Sequence, residues 1–326
     1  MVRLPMRAIR IARPRAIEML DDAPRPECGE GQVLVKCSHI ALCGSNMGQY
    51  TGEGLWGDIE FPNPVGWAGH ENIGVIVESR CEGWQEGDVV LAQPKGYYGF
   101  AEYIVSEPPA IGRLPKDSKN LAPFVVAQPL ATVLRAMTRT DNVIAKRCAV
   151  TGQGPMGLIF THVLRMMGAS EVIATDLLDW RLEWSKRYGA RHVINAASED
   201  AVAAAAELTG GKMLDFVVEA SGRAESLAAA ARMVRTGGRL FVFGMPHFEE
   251  QVFPWYQVFR QNVQINTCVG PECGAFFQTA VDMVLDERCG ALTEMVTPVM
   301  RWADAAEAFE MYAGPAKDSL KLTLEL

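Results

Sequence analysis

The chain has 326 residues, of which 49% are hydrophobic and 21% charged, a balance that suits a globular protein of one large or two ordinary domains. A formal net charge of −8 with no Lys/Arg run argues against nucleic acid or an anionic membrane as partner, and no apolar run approaches the ~20 residues of a membrane span. Eight cysteines, at 28, 37, 43, 81, 148, 268, 273 and 289, are scattered without C-x-x-C. That pattern is no disulfide framework and fits a reducing, cytoplasmic setting. The basic N-terminus has no apolar core of the signal-peptide kind.

Residues 1–20 read as two strands about an Arg-Pro turn. Residues 32–37 (QVLVKC) alternate like a half-buried strand, and the pattern breaks at 40–46 (IALCGSN). The polar, glycine-rich stretch 50–63 reads as an exposed loop carrying Trp56. After PVGWAGHE at 64–71, strands are expected at 73–78, 87–91 and 97–105. Up to about residue 120 the chain is therefore a β-rich, partly barrel-shaped unit.

From Leu121 the composition changes. Residues 121–137 are helical in pattern, interrupted by Pro129. Strands at 148–151, 172–175, 192–194, 214–219, 240–244 and 263–268 then alternate with helices, including 179–188, the alanine-rich 200–208, and 224–235 with a stop at Gly237-Gly238. This alternation predicts an α/β unit with a parallel sheet. The tail, 272–326, has two helical patterns and a terminal strand at 320–326. It is too short to stand alone and is expected to pack on the first unit.

The most informative stretch is 148–176, CAVTGQGPMGLIFTHVLRMMGASEVIATD. A strand leads into Gly152, Gly154 and Gly157 in G-x-G-x-x-G spacing, with Pro155 and Met156 opening a helix. The second strand ends on Asp176. The glycines allow the tight turn, a close approach to a pyrophosphate, and helix–strand packing, while the helix N-terminus offers N–H groups to phosphate. Asp176 stands where a carboxylate holds a ribose 2′-OH and repels a 2′-phosphate, favouring NAD over NADP. Arg181 is the counter-signal, readable as a 2′-phosphate partner, a surface charge or a lid over adenine. Gly244 and Cys268, at later strand ends, are expected beside the cofactor.

Cys43, His70 and Glu71, on two glycine-rich bends, are the thiolate, imidazole and carboxylate that zinc takes. By residue type alone they read sooner as a buried thiol and a core histidine beside a surface acid.

Motifs in order along nearly the whole chain bear on that choice: LCGSN at 42–46, GHENIGVIVE at 69–78, GDVV at 87–90, GFAEYIV at 99–105, QPLAT at 128–132, TGQGPMG at 151–157 and the terminal SLKLTLEL. The chain resembles the zinc-containing medium-chain alcohol dehydrogenase family, nearest its polyol and threonine dehydrogenase branch. The resemblance implies a GroES-like β-rich catalytic domain at 1–129, a Rossmann doubly wound parallel sheet at 130–270, and a return segment at 271–326. It implies Cys43 and His70 as catalytic zinc ligands, Glu71 as a ligand or its close support, and Gln128 in the fourth-ligand position. Ser45 corresponds to the hydroxyl that relays the substrate proton, and Lys321 to a basic residue near the cofactor pyrophosphate, read otherwise as an exposed strand lysine. In that family zinc acts as a Lewis acid on the substrate oxygen and nicotinamide takes the hydride.

Three positions depart from the family pattern. Gln128 replaces a glutamate, Asn46 replaces the aspartate that supports the metal histidine, and Arg135 replaces a small or aromatic residue. Residues 88–100 carry none of the four cysteines of the family's structural zinc lobe, so one zinc per chain is expected and no structural zinc. Ser45, Trp56, Tyr97, Tyr98 and the loop 247–256, with Phe253 and Trp255, are the expected substrate wall. His39 reads as packed, His162 and His192 as bystanders, and His247 as able to approach the cofactor. The sequence thus points to a zinc-dependent, NAD-linked dehydrogenase of a small polar secondary alcohol, a homodimer or homotetramer. The alternatives are a zinc-free quinone, enoyl or carbonyl reductase of the same fold, or a non-catalytic NAD-binding protein.

Overall fold

The computed structural model describes residues 4–53, 60–246, 250–269, 272–314, 317 and 319–326. The chain forms two compact units, Met1–Ala131 with Glu272–Leu326, and Thr132–Pro271.

In the first unit Pro5–Arg13 and Ala16–Pro24 pair as an antiparallel hairpin, with Arg15 at positive φ in the turn. A seven-stranded sheet follows the order Val299–Arg301, Thr323–Glu325, Val33–Ala41, Asn72–Ser79, Val89–Ala92, Ile111–Arg113, with Tyr103–Ser106 also on Val33–Ala41. The C-terminal strand lies antiparallel to residues 39–41, so the chain end completes the sheet begun near residue 33. Ile9, Val33, Val35, Ile40, Phe100, Phe309 and Leu322 are buried together in its core.

Several elements differ from the sequence expectation. The strand at 32–37 runs on to Ala41, and a helix, Gly44–Thr51, follows where an irregular segment and then a loop were expected. That helix is polar and short. It forms because the Asn46 side chain accepts from the Cys43 N–H at 2.8 Å and Gly52 ends it at φ 79°. Residues 97–105 are not one strand. Lys95–Tyr97 is a 3-10 turn with Gly96 and Tyr97 both at positive φ, and only Tyr103–Ser106 is extended. Pro129 interrupts nothing, since it lies in the first turn of Ala127–Met137, where no intrahelical N–H is required.

The second unit holds a six-stranded parallel sheet in the order His192–Asn195, Glu171–Asp176, Arg147–Thr151, Leu214–Glu219, Val234–Val242, Gln264–Thr267. Its central strands are buried along nearly their whole length, which is why they read as continuous apolar runs. Helices Pro155–Met166, Asp179–Arg187, Ala201–Leu208 and Ala224–Met233 connect them. Asp200 caps the third through Val202 and Ala203 N–H groups. The fourth ends at Met233, before the expected stop: Gly237, at φ 68°, instead lies inside the next strand, where the register shifts. This is the expected Rossmann topology.

Candidate active site

The first unit brings Cys43, His70 and Glu71 together. One ligand atom from each lies within 4.8 Å of the others. Cys43 caps the helix Gly44–Thr51. His70 and Glu71 follow Gly69, whose bend runs so close to the backbone of Gly99 and Phe100 that a Cβ there would meet Phe100 N at 2.5 Å. His70 Nδ1 donates to the Ala68 carbonyl at 2.9 Å. This fixes the tautomer and leaves Nε2 facing the other donors, 4.0 Å from Glu71 Oε1.

Electrostatics favour the sulfur as a donor. Burial alone would raise the Cys43 thiol. Lys321, His70 and the Ser45 hydroxyl, which hydrogen-bonds the sulfur, together hold it well below the ordinary thiol range. His70 is pushed up to about 9: burial opposes its charge, but the Cys43 sulfur, Glu71 and the Ala68 carbonyl outweigh that. The sulfur is thus shifted toward its anionic form and the ring toward its cationic one, and a divalent cation taking the place of the ring proton would be held by both. Glu71 is raised by burial and pulled back by Lys321. A half-buried soft donor and imidazole converging on a buried carboxylate fit zinc, which holds such donors at roughly 2.0–2.3 Å.

Asn46 and Lys321 support this centre. Asn46 is buried, and its Nδ2 donates at 2.9 Å to Ala68 O, the carbonyl that also receives His70 Nδ1. Through its Oδ1 it holds Cys43 N as well. One amide therefore ties the sulfur's bend to the histidine's bend, a task needing both an acceptor and a donor. Lys321 is not an exposed strand lysine. It precedes the terminal strand and is 1% exposed, and its Nζ donates to Glu71 Oε1 at 2.6 Å and to Leu42 O at 3.1 Å. Its charge is taken up by Glu71, because a buried ammonium must be paired.

Gln128 is buried, and its Nε2 donates to Cys273 Sγ at 3.7 Å. Cys273, which sequence reasoning assigned no role, donates in turn to Gln93 Oε1 at 3.6 Å. Gln93 hydrogen-bonds the Tyr97 hydroxyl, and the Tyr97 ring stands edge-on to His70 at 5.8 Å between centroids. Only the pairing of Cys273 with a glutamine in the family's ligand position could have signalled this, and 145 residues separate the two.

The second unit carries the glycine turn. Gly152 has φ 85°, and a Cβ on Gly157 would stand 1.8 Å from Gly152 O, so helix and turn can close only on glycine. A Cβ on Gly154, by contrast, would meet nothing within 4 Å. No side chain caps the helix that Pro155 opens, and Met156 is half-buried in its first turn. An open approach to an uncapped helix N-terminus fits a dinucleotide pyrophosphate. Asp176 Oδ2 accepts from Gln153 N at 2.6 Å and Oδ1 from Leu177 and Leu178 N–H, while Arg181 Nη1 lies 3.8 Å from Oδ2. Gln153, fully buried, pins the turn from below through Thr161 and Ser185. Gly244 N donates to Glu219 O and Cys268 N to Val242 O, both at strand ends of this unit.

The remaining expectations divide. Tyr97 stands beside His70, Tyr98 is exposed, and Phe253 and Trp255 pair with each other in the second unit. Arg135 lies on the helix Ala127–Met137 and reaches Thr138. Trp56 and residues 247–249, with His247, lie outside the described residues. His39 is packed in its strand against Ser38.

Comparisons with known proteins bear on the family and the fold. Residues 29–115 match the family described as alcohol dehydrogenase GroES-like domain, and residues 155–286 the family described as zinc-binding dehydrogenase. A sorbitol dehydrogenase of Bacillus subtilis (strain 168) is 30% identical over 260 residues, 71% of this chain and 73% of that protein. An L-threonine 3-dehydrogenase of Anaeromyxobacter sp. (strain K) is 26% identical across 93% of this chain and 94% of its own. The solved structure of an alcohol dehydrogenase from Thermus sp. ATN1 superposes with a TM-score of 0.84 at 23% identity, covering 98% of this chain and 99% of that one. The chain is therefore an alcohol oxidoreductase that belongs to the zinc-type medium-chain alcohol dehydrogenase family.

Proposed function

We propose that the protein oxidises a small polar secondary alcohol, of the polyol, cyclitol, sugar or amino-alcohol type, with NAD as hydride acceptor and one zinc per chain held by Cys43, His70 and Glu71. The observation that carries this reading is the convergence of those three donors within 4.8 Å, with the thiol lowered well below its ordinary range. Zinc, when bound, supplies Lewis acidity toward the substrate oxygen, and the nicotinamide supplies the hydride acceptor. The chain's own residues do the rest. Ser45 Oγ, beside the Cys43 sulfur, takes the substrate hydroxyl proton and passes it outward. Asn46 and Ala68 hold the imidazole. Gln128 is neutral, so the centre carries one negative charge fewer than a glutamate would give it. The absence of a four-cysteine lobe from residues 88–100 supports a single, catalytic zinc.

NAD is proposed because Asp176 keeps a carboxylate at the end of the second strand, and because Arg181 is held by that carboxylate rather than offered to a 2′-phosphate. The relatives' substrates, sorbitol and L-threonine, support a polar secondary alcohol. A homodimer is proposed through the sheet edge Gln264–Thr267, beside which Trp255, Tyr256 and Phe259 are exposed. The functional test is a dehydrogenase screen of polyols, cyclitols and amino alcohols with NAD and NADP, with and without a chelator. Turnover that prefers NAD and stops on chelation supports the reading. Turnover indifferent to the chelator would replace it with a zinc-free reductase.

A further inference from the structure

Tyr97 occupies a conformation that bulky side chains rarely adopt. Its φ is 64°, and it follows Gly96, itself at φ 70°. Glycine would fill the second place of this turn without strain, so the tyrosine is kept for its side chain. That side chain is half-buried and set edge-on to the metal histidine, with ring centroids 5.8 Å apart.

The hydroxyl is oriented from behind. Gln128 Nε2 donates to Cys273 Sγ at 3.7 Å, and the Cys273 thiol donates to Gln93 Oε1 at 3.6 Å. With its oxygen so engaged, Gln93 turns its Nε2 to the Tyr97 oxygen. The Tyr97 oxygen thereby accepts a hydrogen bond from Gln93, which leaves its own O–H to serve another acceptor. All four residues belong to the first unit, as do Cys43 and His70. They form a neutral, directional chain of donors that ends on a phenol next to the metal histidine.

We infer that Tyr97 is a specificity-determining residue that donates a hydrogen bond to a second hydroxyl of the substrate, close to the reacting carbinol, with Gln93 and Cys273 as its positioning residues. The inference rests on the dehydrogenase reading above and narrows its substrate class to alcohols bearing a neighbouring neutral hydroxyl. A neutral donor suits a diol better than a carboxylate, which would call for a cation at this place.

The test uses butane-2,3-diol and butan-2-ol, which differ by one hydroxyl, on the zinc-loaded protein. In Tyr97→Phe the ratio of kcat/KM for diol over mono-alcohol falls about tenfold. Gln93→Leu lowers the same ratio through KM, and the double variant is no worse than Tyr97→Phe alone. An unchanged ratio in Tyr97→Phe, or additive losses in the double variant, would overturn the inference. If the wild type oxidises neither these alcohols nor any in the polyol, cyclitol and amino-alcohol screen with NAD or NADP, the dehydrogenase reading fails, and calorimetric titration of the diol decides the inference separately. Weaker binding to Tyr97→Phe than to wild type supports it, whereas equal binding, or none to either, refutes it.

Discussion

Lys321 Nζ lies 2.6 Å from Glu71 Oε1, and both side chains are buried. An ammonium from just before the terminal strand thus balances a carboxylate that is itself one of the three proposed zinc ligands, so the last residues of the chain help set the charge of the centre. Removing one partner of such a pair strands the other. Lys321→Met should destabilise the protein by about 3–5 kcal/mol, and Glu71→Gln added to it should restore most of that. Urea unfolding of the two variants checks this. A double variant no more stable than Lys321→Met would contradict it.

Asn46 holds Cys43 N and Ala68 O together. Asn46→Ala should lower zinc affinity about tenfold, because the Ala68 carbonyl that orients the His70 ring loses the amide that holds it. Competition with a chromophoric chelator measures this, and an unchanged affinity would show that Ala68 needs no such tie.

The glycine turn gives a paired prediction. Gly157→Ala should disrupt the packing of turn and helix, since its Cβ would meet Gly152 O at 1.8 Å. Gly154→Ala should leave the melting temperature unchanged, because its Cβ meets nothing within 4 Å. It should nonetheless weaken NADH binding about tenfold by narrowing the pyrophosphate approach. Fluorescence titration with NADH and a thermal melt separate the two effects.

Asp88 is fully buried, with Arg113 Nη2 at 3.1 Å and Lys116 Nζ at 3.0 Å. Burial alone would raise its pKa. The Lys116 and Gln85 N–H contacts and the Arg113 charge outweigh that and hold it below the ordinary 3.8. A carboxyl depressed on folding stabilises fully above its unfolded pKa and loses that contribution as pH falls through the folded value. Asp88→Asn should therefore cost about 2 kcal/mol at neutral pH. The gap to wild type should shrink as pH drops below about 3.8, the ordinary value of this carboxyl. A gap constant from neutral pH into acid would contradict the assignment.

Much of this organisation is legible in the sequence where a local pattern carries it. The turn at Gly152, Gly154 and Gly157 and the acid at Asp176 are set by spacing within one βαβ unit, and the structure places them as that spacing requires. Less legible is whatever depends on distant partners. The helix Gly44–Thr51 has little apolar periodicity and relies on the Asn46 cap. A lysine in a C-terminal segment is ordinarily exposed, so Lys321 gives no sign of Glu71 250 residues away. Tyr97 alternates with its neighbours like a strand residue, and only the positive φ at Gly96 and Tyr97 shows a turn.

The most direct measurement is the zinc content and NAD-linked alcohol turnover of the purified wild type beside Cys43→Ser and His70→Ala. Wild type should hold one zinc per chain and lose both metal and turnover on chelation, regaining both when zinc is restored. Each variant should lack the metal and the activity while keeping its NADH binding on the glycine turn. Wild type without zinc that still turns over an alcohol, or variants that keep the metal, would show that Cys43 and His70 do not form the catalytic centre.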